Sequence, residues 1–160
     1  QEVDGVEVED VRLLTDARRD SSRDALDTAV VLVEQFSVEG LLSTLVQRSG
    51  QDFESEWAVV VDLDDARPLA STGAPPPAGW LGAFLAGSQS SELVAAGACG
   101  PDDVAWAALA SARLALVVGR RGRPFRFRER RQLGSLARIA DARWVDLGVP
   151  ADRKGSVEVR

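Results

Sequence analysis

One stretch, residues 104–144, constrains the fold of this chain more than any other. It holds two apolar runs, 104–110 and 113–119, which are separated by Ser111 and Ala112. Nearly every position of both runs is apolar, whereas a half-buried strand alternates, so both faces of these strands should be covered. An arginine-rich corner follows, and then a segment with apolar residues at helical spacing (Leu133, Leu136, Ala137, Ala140, Trp144 and Leu147). The stretch therefore predicts a buried β-hairpin and a closing helix with one apolar stripe.

The N-terminal part predicts helices. Ser21-Ser-Arg-Asp24 has the capping-box pattern of a helix start. Apolar residues then recur every three or four positions to about residue 36 (Leu26, Ala29, Val30, Val33 and Phe36). Ser37 is a second candidate N-cap, and a further stripe follows it and ends near Gly50 (Val38, Leu41, Leu42, Leu45 and Val46). Gly40 lowers helix stability by about 1 kcal/mol relative to alanine, so one kinked helix and two separate helices are both open.

The middle of the chain predicts short elements. Residues 57–61 form an apolar, β-branched run, acidic turn residues follow, and residues 69–72 predict the returning strand of a hairpin. The three prolines within 73–79 predict a stiff loop, residues 80–85 predict a short helix, and residues 92–98 predict a third strand. We accordingly divide the chain into an acidic arm (1–20), one domain (21–148) and a tail (149–160).

Composition and charge limit the class of protein. The chain has 160 residues, of which 45% are hydrophobic, which suits one globular domain with a real core. No run approaches the roughly 18 apolar residues of a membrane helix, and we expect a soluble, cytoplasmic protein. The single cysteine cannot form an internal disulfide. The net charge of −6 argues against a general nucleic-acid binder, because such proteins gain affinity by neutralising phosphates.

Missing residue types exclude whole classes of chemistry. The chain contains no His, Tyr, Met or Asn, and its one Lys is Lys154. Without His, the commonest general base is absent, a Ser-His-Asp or Cys-His site cannot be built, and the usual zinc sites are excluded. No phosphate-binding loop or dinucleotide fingerprint is present. We therefore expect a protein that is not an enzyme and that carries no cofactor.

The order of elements resembles a GAF domain over about residues 21–147. Residues 36–47 look like the first GAF helix, 113–119 with Arg123-Pro-Phe125 like the last hairpin strand and its exit, and 132–140 like the closing Leu-x-x-Leu-Ala-x-x-Ala helix. Residues 24–76 also resemble the GAF half of bacterial GAF–ANTAR regulators, and we expect a protein without the ANTAR segment. The resemblance implies an α+β fold: an antiparallel, GAF/PAS-like sheet with the N- and C-terminal helices on one face. It also implies a ligand pocket on the other face, walled by residues 73–103.

This chain lacks the signatures of the better-known GAF ligands. The cyclic-nucleotide signature includes an Asn-Lys pair, and this chain has no Asn. Bilin-binding GAF domains attach their chromophore through a Cys beside a His, but Cys99 is followed by Gly100 and the chain has no His. Haem ligation by His is excluded for the same reason. The methionine-sulfoxide reductases of this fold use several cysteines, and one is present.

Two groups of residues are candidate sites. The first is a ligand site made of Trp80, Phe84, Trp106 and Cys99. The plainer interpretation is that the aromatic rings fill the core and that the cysteine is a small buried hydrophobe. Asp62, Asp64 and Asp65 lack the pattern of a calcium loop, so we interpret them as turn residues.

The second group is an arginine-rich corner at 120–131 that suits anionic partners because guanidinium groups bind phosphate and carboxylate. Its seven members are Arg120, Arg121, Arg123, Arg126, Arg128, Arg130 and Arg131. Residues 1–80 carry 17 acids and 6 bases, so the acidic half of the chain is an alternative counter-charge. We expect residues 2–10, or the same arm of a second subunit, to lie near this corner.

These observations lead to two functional hypotheses. The first is a GAF-like sensory or regulatory module in signal transduction, which forms a homodimer through its terminal helices and binds a small molecule or a partner protein. The alternative is a nucleic-acid or anionic-partner binding protein that uses the arginine-rich corner.

Overall fold

The structure is a computed structural model that describes residues 23–89 and 103–148. In chain order these contain helices α1 (23–33) and α2 (Val38–Asp52), strands β1 (Trp57–Asp62) and β2 (Pro68–Gly73), helix α3 (Ala78–Gln89), strands β3 (Val104–Leu109) and β4 (Leu114–Gly119), and helix α4 (Phe127–Asp146). Five predicted features lie outside the described residues: the arm at 1–20, the helix cap at Ser21, the strand at 92–98, Cys99 and the tail at 149–160.

The described strands form one antiparallel sheet in the order β2-β1-β4-β3. The predicted hairpin is present as β3 and β4, in which Leu109 lies opposite Leu114. Its turn has four residues, not the predicted two, because β3 ends and β4 begins one residue further from the tip. Every residue of β4 is buried, as predicted, whereas edge strand β3 exposes Ala108.

Helices cover both faces of the sheet. On one face, α2 and α4 pack against alternate residues of the strands, including Ala58 and Val60 of β1. On the other face, Val59 and Val61 of β1 pack in a cluster with Leu81 and Leu85, which belong to α3. Successive strand residues point to opposite faces, which is why an almost uniformly apolar strand needs helices on both sides.

The N-terminal region forms two separate helices and not one kinked helix. The break lies at residues 34–37, where the Ser37 side chain accepts a hydrogen bond from the Gly40 amide at 3.0 Å and so caps α2. From α4, the Arg143 guanidinium donates two hydrogen bonds to the Gln35 carbonyl, at 2.7 and 3.0 Å. The closing helix therefore holds the connection between α1 and α2.

Helix α1 ends earlier than the sequence predicts, at residue 33 instead of about 36, and its predicted apolar stripe faces away from the core except at Ala29. Thr28 and Leu32 are buried, whereas Leu26, Val30 and Val33 are exposed. The apolar stripe of α4, in contrast, packs inside the domain. Four of its side chains belong to the core and two pack against it: Leu133, Leu136, Ala137 and Ala140, and then Trp144 and Leu147. That stripe of α4 is therefore not available to a second molecule.

Candidate functional site

Arg120 is the structural centre of the arginine-rich corner, and it is only 5% exposed. Its Nε donates to the Arg123 carbonyl at 2.9 Å. One terminal nitrogen donates to the Phe53 carbonyl and Glu129 at 2.6 and 2.9 Å, and the other to the Pro124 carbonyl and Glu129 at 2.9 and 2.8 Å. All five N–H donors of the guanidinium are thus used. Arg120 ties the end of α2 to the start of α4 and has no donor left for an external anion.

The carboxylate of Glu129 is the ion-pair partner of the buried Arg120 guanidinium. Burial raises the pKa of Glu129, but the hydrogen bonds from Arg120 and from the Arg126 backbone amide outweigh burial and hold the pKa below its ordinary value. The Arg120 guanidinium also lies over the Phe125 ring, 4.1 Å from its centroid. These contacts stabilise the ion pair in a site from which water is partly excluded.

The remaining arginines of the corner are placed in three ways. Arg121 and Arg123 are exposed and form ion pairs with Glu56 and Glu54, so the acidic half of the chain neutralises them at the surface. Arg130 is half-buried. Three others are exposed around the first turn of α4, namely Arg126, Arg128 and Arg131. The guanidinium of Arg131 lies 5.9 Å from the centroid of Phe127, whose side chain is 63% exposed.

The aromatic candidates meet on the α3 face of the sheet. Trp80 and Phe84 are one turn apart on α3, and their rings stack almost parallel, with an interplanar angle of 4° and a centroid distance of 5.4 Å. Phe84 packs against the buried cluster of this face, while Trp80 is 44% exposed. Trp106 belongs to the same cluster and is 7% exposed. The structure thus brings three of the four predicted ligand residues to one face, and Cys99 lies outside the described residues.

Trp106 carries an unpaired polar group. Its indole Nε1 is buried and has no hydrogen-bond partner among the residues the structure describes. A buried donor without an acceptor costs about 1–3 kcal/mol, and buried tryptophans normally direct this group to a partner. The unpaired donor is therefore a physical reason to consider an acceptor from outside the described chain.

A concavity lies beside α3. It is an open cleft of about 400 Å³ between the β1–β2 turn and the small residues of α3, lined by Leu63, Asp64, Asp65, Ala66, Ala78, Gly79, Gly82, Ala83, Leu85 and Ala86. None of the predicted ligand residues lines it. The acids of the β1–β2 turn act within that turn. Asp62 and Asp65 accept hydrogen bonds from backbone amides, and Asp64 pairs with Arg113, which lowers the pKa of Asp64. The interpretation of these acids as turn residues agrees with this geometry.

The described residues hold no cluster of three or more His, Cys, Asp or Glu side chains that suits a metal ion. Within 23–89 and 103–148, no helix combines the length and the hydropathy needed to span a bilayer.

The comparisons with known proteins identify the fold. No protein-family profile matches the sequence, and no curated protein is significantly similar to it. The structure is similar to the crystal structure of the GAF domain from the Acinetobacter phosphoenolpyruvate-protein phosphotransferase. The TM-score is 0.52, the sequence identity is 18%, and the match covers 76% of this chain and 92% of that domain. The chain therefore has a GAF-like α+β fold, as its sequence predicted, and this likeness is one of fold.

Sequence reasoning did not find the special position of Arg120. Arg120, Arg121 and Arg123 look alike in the sequence, and no local signal separates them. Asp141 was also missed, although its carboxylate accepts the backbone amides of Ser111 and Ala112, each at 3.0 Å. Both roles depend on contacts between residues distant in the chain.

Proposed function

We propose that this chain is a non-enzymatic, GAF-like regulatory module that binds a small planar molecule on the α3 face and acts in the cytoplasm as a homodimer. The observation that carries the ligand proposal is the Trp80–Phe84 stack, which continues outward from a buried apolar cluster containing Trp106. A ligand that covers the free face of this half-exposed ring would remove apolar surface from water, which favours binding. Ligand sites typically combine apolar and aromatic walls with a few polar groups.

The chemistry of the site suggests the class of ligand. An aromatic or conjugated ring system would extend the stack on Trp80, since offset aromatic stacking contributes about 0.5–1.5 kcal/mol beyond buried area. A carbonyl or ring nitrogen on the same molecule would accept the unpaired Trp106 Nε1–H. The cluster beneath the stack is apolar, so we expect a neutral ligand.

The experiment has two parts. Native mass spectrometry of the purified chain should detect a bound molecule, and tryptophan fluorescence should change when that molecule is titrated back into stripped protein. Trp80→Ala should weaken binding about tenfold and leave the melting temperature nearly unchanged, because Trp80 is largely outside the core. Val145→Ala, which removes an exposed apolar side chain from α4, is the matched control and should bind normally. If the protein carries no molecule and neutral aromatic compounds leave its fluorescence unchanged, the ligand proposal is wrong.

A second candidate function rests on the exposed start of α4. Arg126 and Arg128 stand beside exposed Phe127, a combination of cations and an aromatic ring that suits single-stranded nucleic acid or another polyanion. In that case, binding to an RNA oligonucleotide should weaken steeply with salt, and Arg126→Ser/Arg128→Ser should reduce the salt dependence. Arg67→Ser, in the β1–β2 turn, is the control. RNA binding that is absent at about 50 mM salt rejects this function.

A further inference from the structure

The outer face of α1 and its C-terminal end expose large apolar side chains that the domain does not cover. Of the eight large hydrophobic residues that are exposed in the described part of the chain, four lie within 26–36: Leu26 (68%), Val30, Val33 and Phe36 (93%). Leu26, Val30 and Val33 are separated by four and three positions, the spacing of a seam between two packed helices. The inner face of α1 is already used by Thr28 and Leu32, so the outer seam needs a partner of its own.

Acidic residues flank this seam. Asp27 and Glu34 are exposed, and they lie three positions before and four positions after Val30. Asp27 therefore shares the face of Val30. Glu34 directly follows the last residue of α1, so the two acids are seven positions apart, about two helical turns. The surface of α1 is thus apolar in the middle and carries these two acids at its side, with exposed Arg23 one turn before Asp27.

The outer face of α4 has the opposite charge and the same spacing. Arg131 and Arg138 are exposed and are also seven residues apart. Near the two ends of this helix lie exposed apolar side chains, Phe127 and Val145. The outer faces of α1 and α4 are therefore complementary: each combines exposed apolar side chains with two charges of one sign at equal separation.

We propose that a second copy of the chain covers these surfaces, in a two-fold arrangement in which α1 of each subunit packs against α4 of the other. Asp27 and Glu34 of one subunit then face Arg131 and Arg138 of the partner subunit. The equal spacing lets both pairs form along one helix crossing, and a two-fold axis repeats them. A direct α1–α1 contact would instead bring the acids of both copies close together, and an α4–α4 contact would do the same with the arginines. This inference rests on the proposed homodimer and specifies its interface.

A charge exchange tests the pairing. Sedimentation equilibrium of the full chain should show a dimer at about 100 µM. Asp27→Arg/Glu34→Arg and Arg131→Glu/Arg138→Glu should each weaken dimerisation about a hundredfold, since four exposed pairs, each worth a fraction of a kcal/mol, change from attraction to repulsion. An equimolar mixture of the two variants should form a heterodimer with nearly wild-type affinity, because both α1–α4 contacts again join opposite charges. Glu39→Arg and Arg67→Glu, which reverse exposed charges outside α1 and α4, should leave the dimer unchanged.

The outcomes separate this inference from the proposed homodimer. A dimer that is insensitive to both double variants overturns the α1–α4 pairing but leaves the homodimer in place. Variants that weaken the dimer without rescue in the mixture overturn the pairing as well. A wild-type monomer at about 100 µM overturns both proposals. Because all four residues are exposed, each variant should keep the wild-type circular dichroism spectrum. The neutral variants Asp27→Asn/Glu34→Gln and Arg131→Gln/Arg138→Gln, with a smaller weakening of about tenfold, give the same decision if a charge reversal perturbs folding.

Discussion

Replacing Arg120 by methionine tests how much the buried Arg120–Glu129 ion pair contributes to the stability of the domain. Methionine keeps much of the volume of the side chain and its apolar contact with Phe125, but it removes all five hydrogen bonds and the positive charge. Glu129, whose side chain is 22% exposed, is then left without its ion-pair partner. The carbonyl groups of Phe53, Arg123 and Pro124 lose their donors at the same time.

The size of the effect follows from these losses. Removing one partner of a buried ion pair costs about 3–5 kcal/mol. Because Glu129 is partly exposed, we expect the cost for this pair to lie near the lower end of that range. The carbonyl groups add to the cost only where water cannot replace the guanidinium. We therefore expect Arg120→Met to lower the free energy of unfolding by about 3–4 kcal/mol. With a urea m-value of about 1–3 kcal/mol per molar, the midpoint should fall by at least about 1 M.

The matched control is Arg123→Met in the same loop. Arg123 and its partner Glu54 are 60% and 65% exposed, and such exposed pairs are worth about 0–1 kcal/mol. A third variant, Arg120→Met/Glu129→Gln, removes the unpaired charge and keeps an acceptor for the Arg126 amide. It should therefore recover part of the stability that Arg120→Met loses. Urea denaturation at pH 7 measures all three.

The pH dependence gives an independent check with a defined sign. In the wild type, the pKa of Glu129 is below its ordinary value of 4.5. Its stabilising contribution is therefore complete above that value and is lost as the pH falls through the lower, folded-state pKa. In Arg120→Met, the burial of Glu129 is no longer opposed by Arg120, so protonation becomes favourable. The stability difference between the two proteins should shrink as the pH falls below about 4.5. A loss below about 1 kcal/mol at pH 7, or a difference that does not change with pH, refutes this account of Arg120.

Three further predictions concern packing and burial. Gly119→Ala should destabilise the domain by about 1–3 kcal/mol, because an added Cβ would lie 2.1 Å from the ring of Trp57; an unchanged melting temperature would contradict the placement of that ring. Trp106→Ala should cost about 3–5 kcal/mol and Trp106→Phe much less, since phenylalanine keeps most of the apolar ring and omits the unpaired Nε1–H; equal losses in thermal unfolding would argue against that unpaired donor. Burial raises the pKa of Asp52, although the hydrogen bond that Thr28 donates to its carboxylate at 2.6 Å opposes this shift. The ionised carboxylate therefore destabilises the fold above its folded-state pKa. This penalty disappears as the pH falls and the carboxylate is protonated. Asp52→Asn, which keeps an oxygen for Thr28, should therefore be more stable than wild type at pH 7 and no more stable near pH 4; the opposite order at pH 7 would disprove it.

Much of the architecture could be predicted from the sequence, because periodicity is a local property. The uniformly apolar runs around the β3–β4 hairpin required covered faces, and the helical stripe of α4 required a partner. Acidic turn residues and prolines marked the ends of the hairpin β1–β2 and the start of α3. Local backbone preferences and side-chain polarity are sufficient for such predictions. The absence of histidine likewise ruled out sites that depend on a histidine side chain of this sequence, without any knowledge of the fold.

Only the tertiary structure separated residues that look alike in the sequence. Arg120 is buried because the end of β4 passes beside the carbonyl of Phe53, 67 residues earlier in the chain, and beside Glu129 of α4. Arg123, three positions later, remains at the surface. In the same way, the apolar spacing in α1 did not reveal that Leu32, outside the predicted stripe, faces the core while Val30, within that stripe, faces outward. Composition and periodicity measure what a segment can bury, whereas the direction in which each side chain points depends on how distant segments dock, and that is set by the packing of the whole domain.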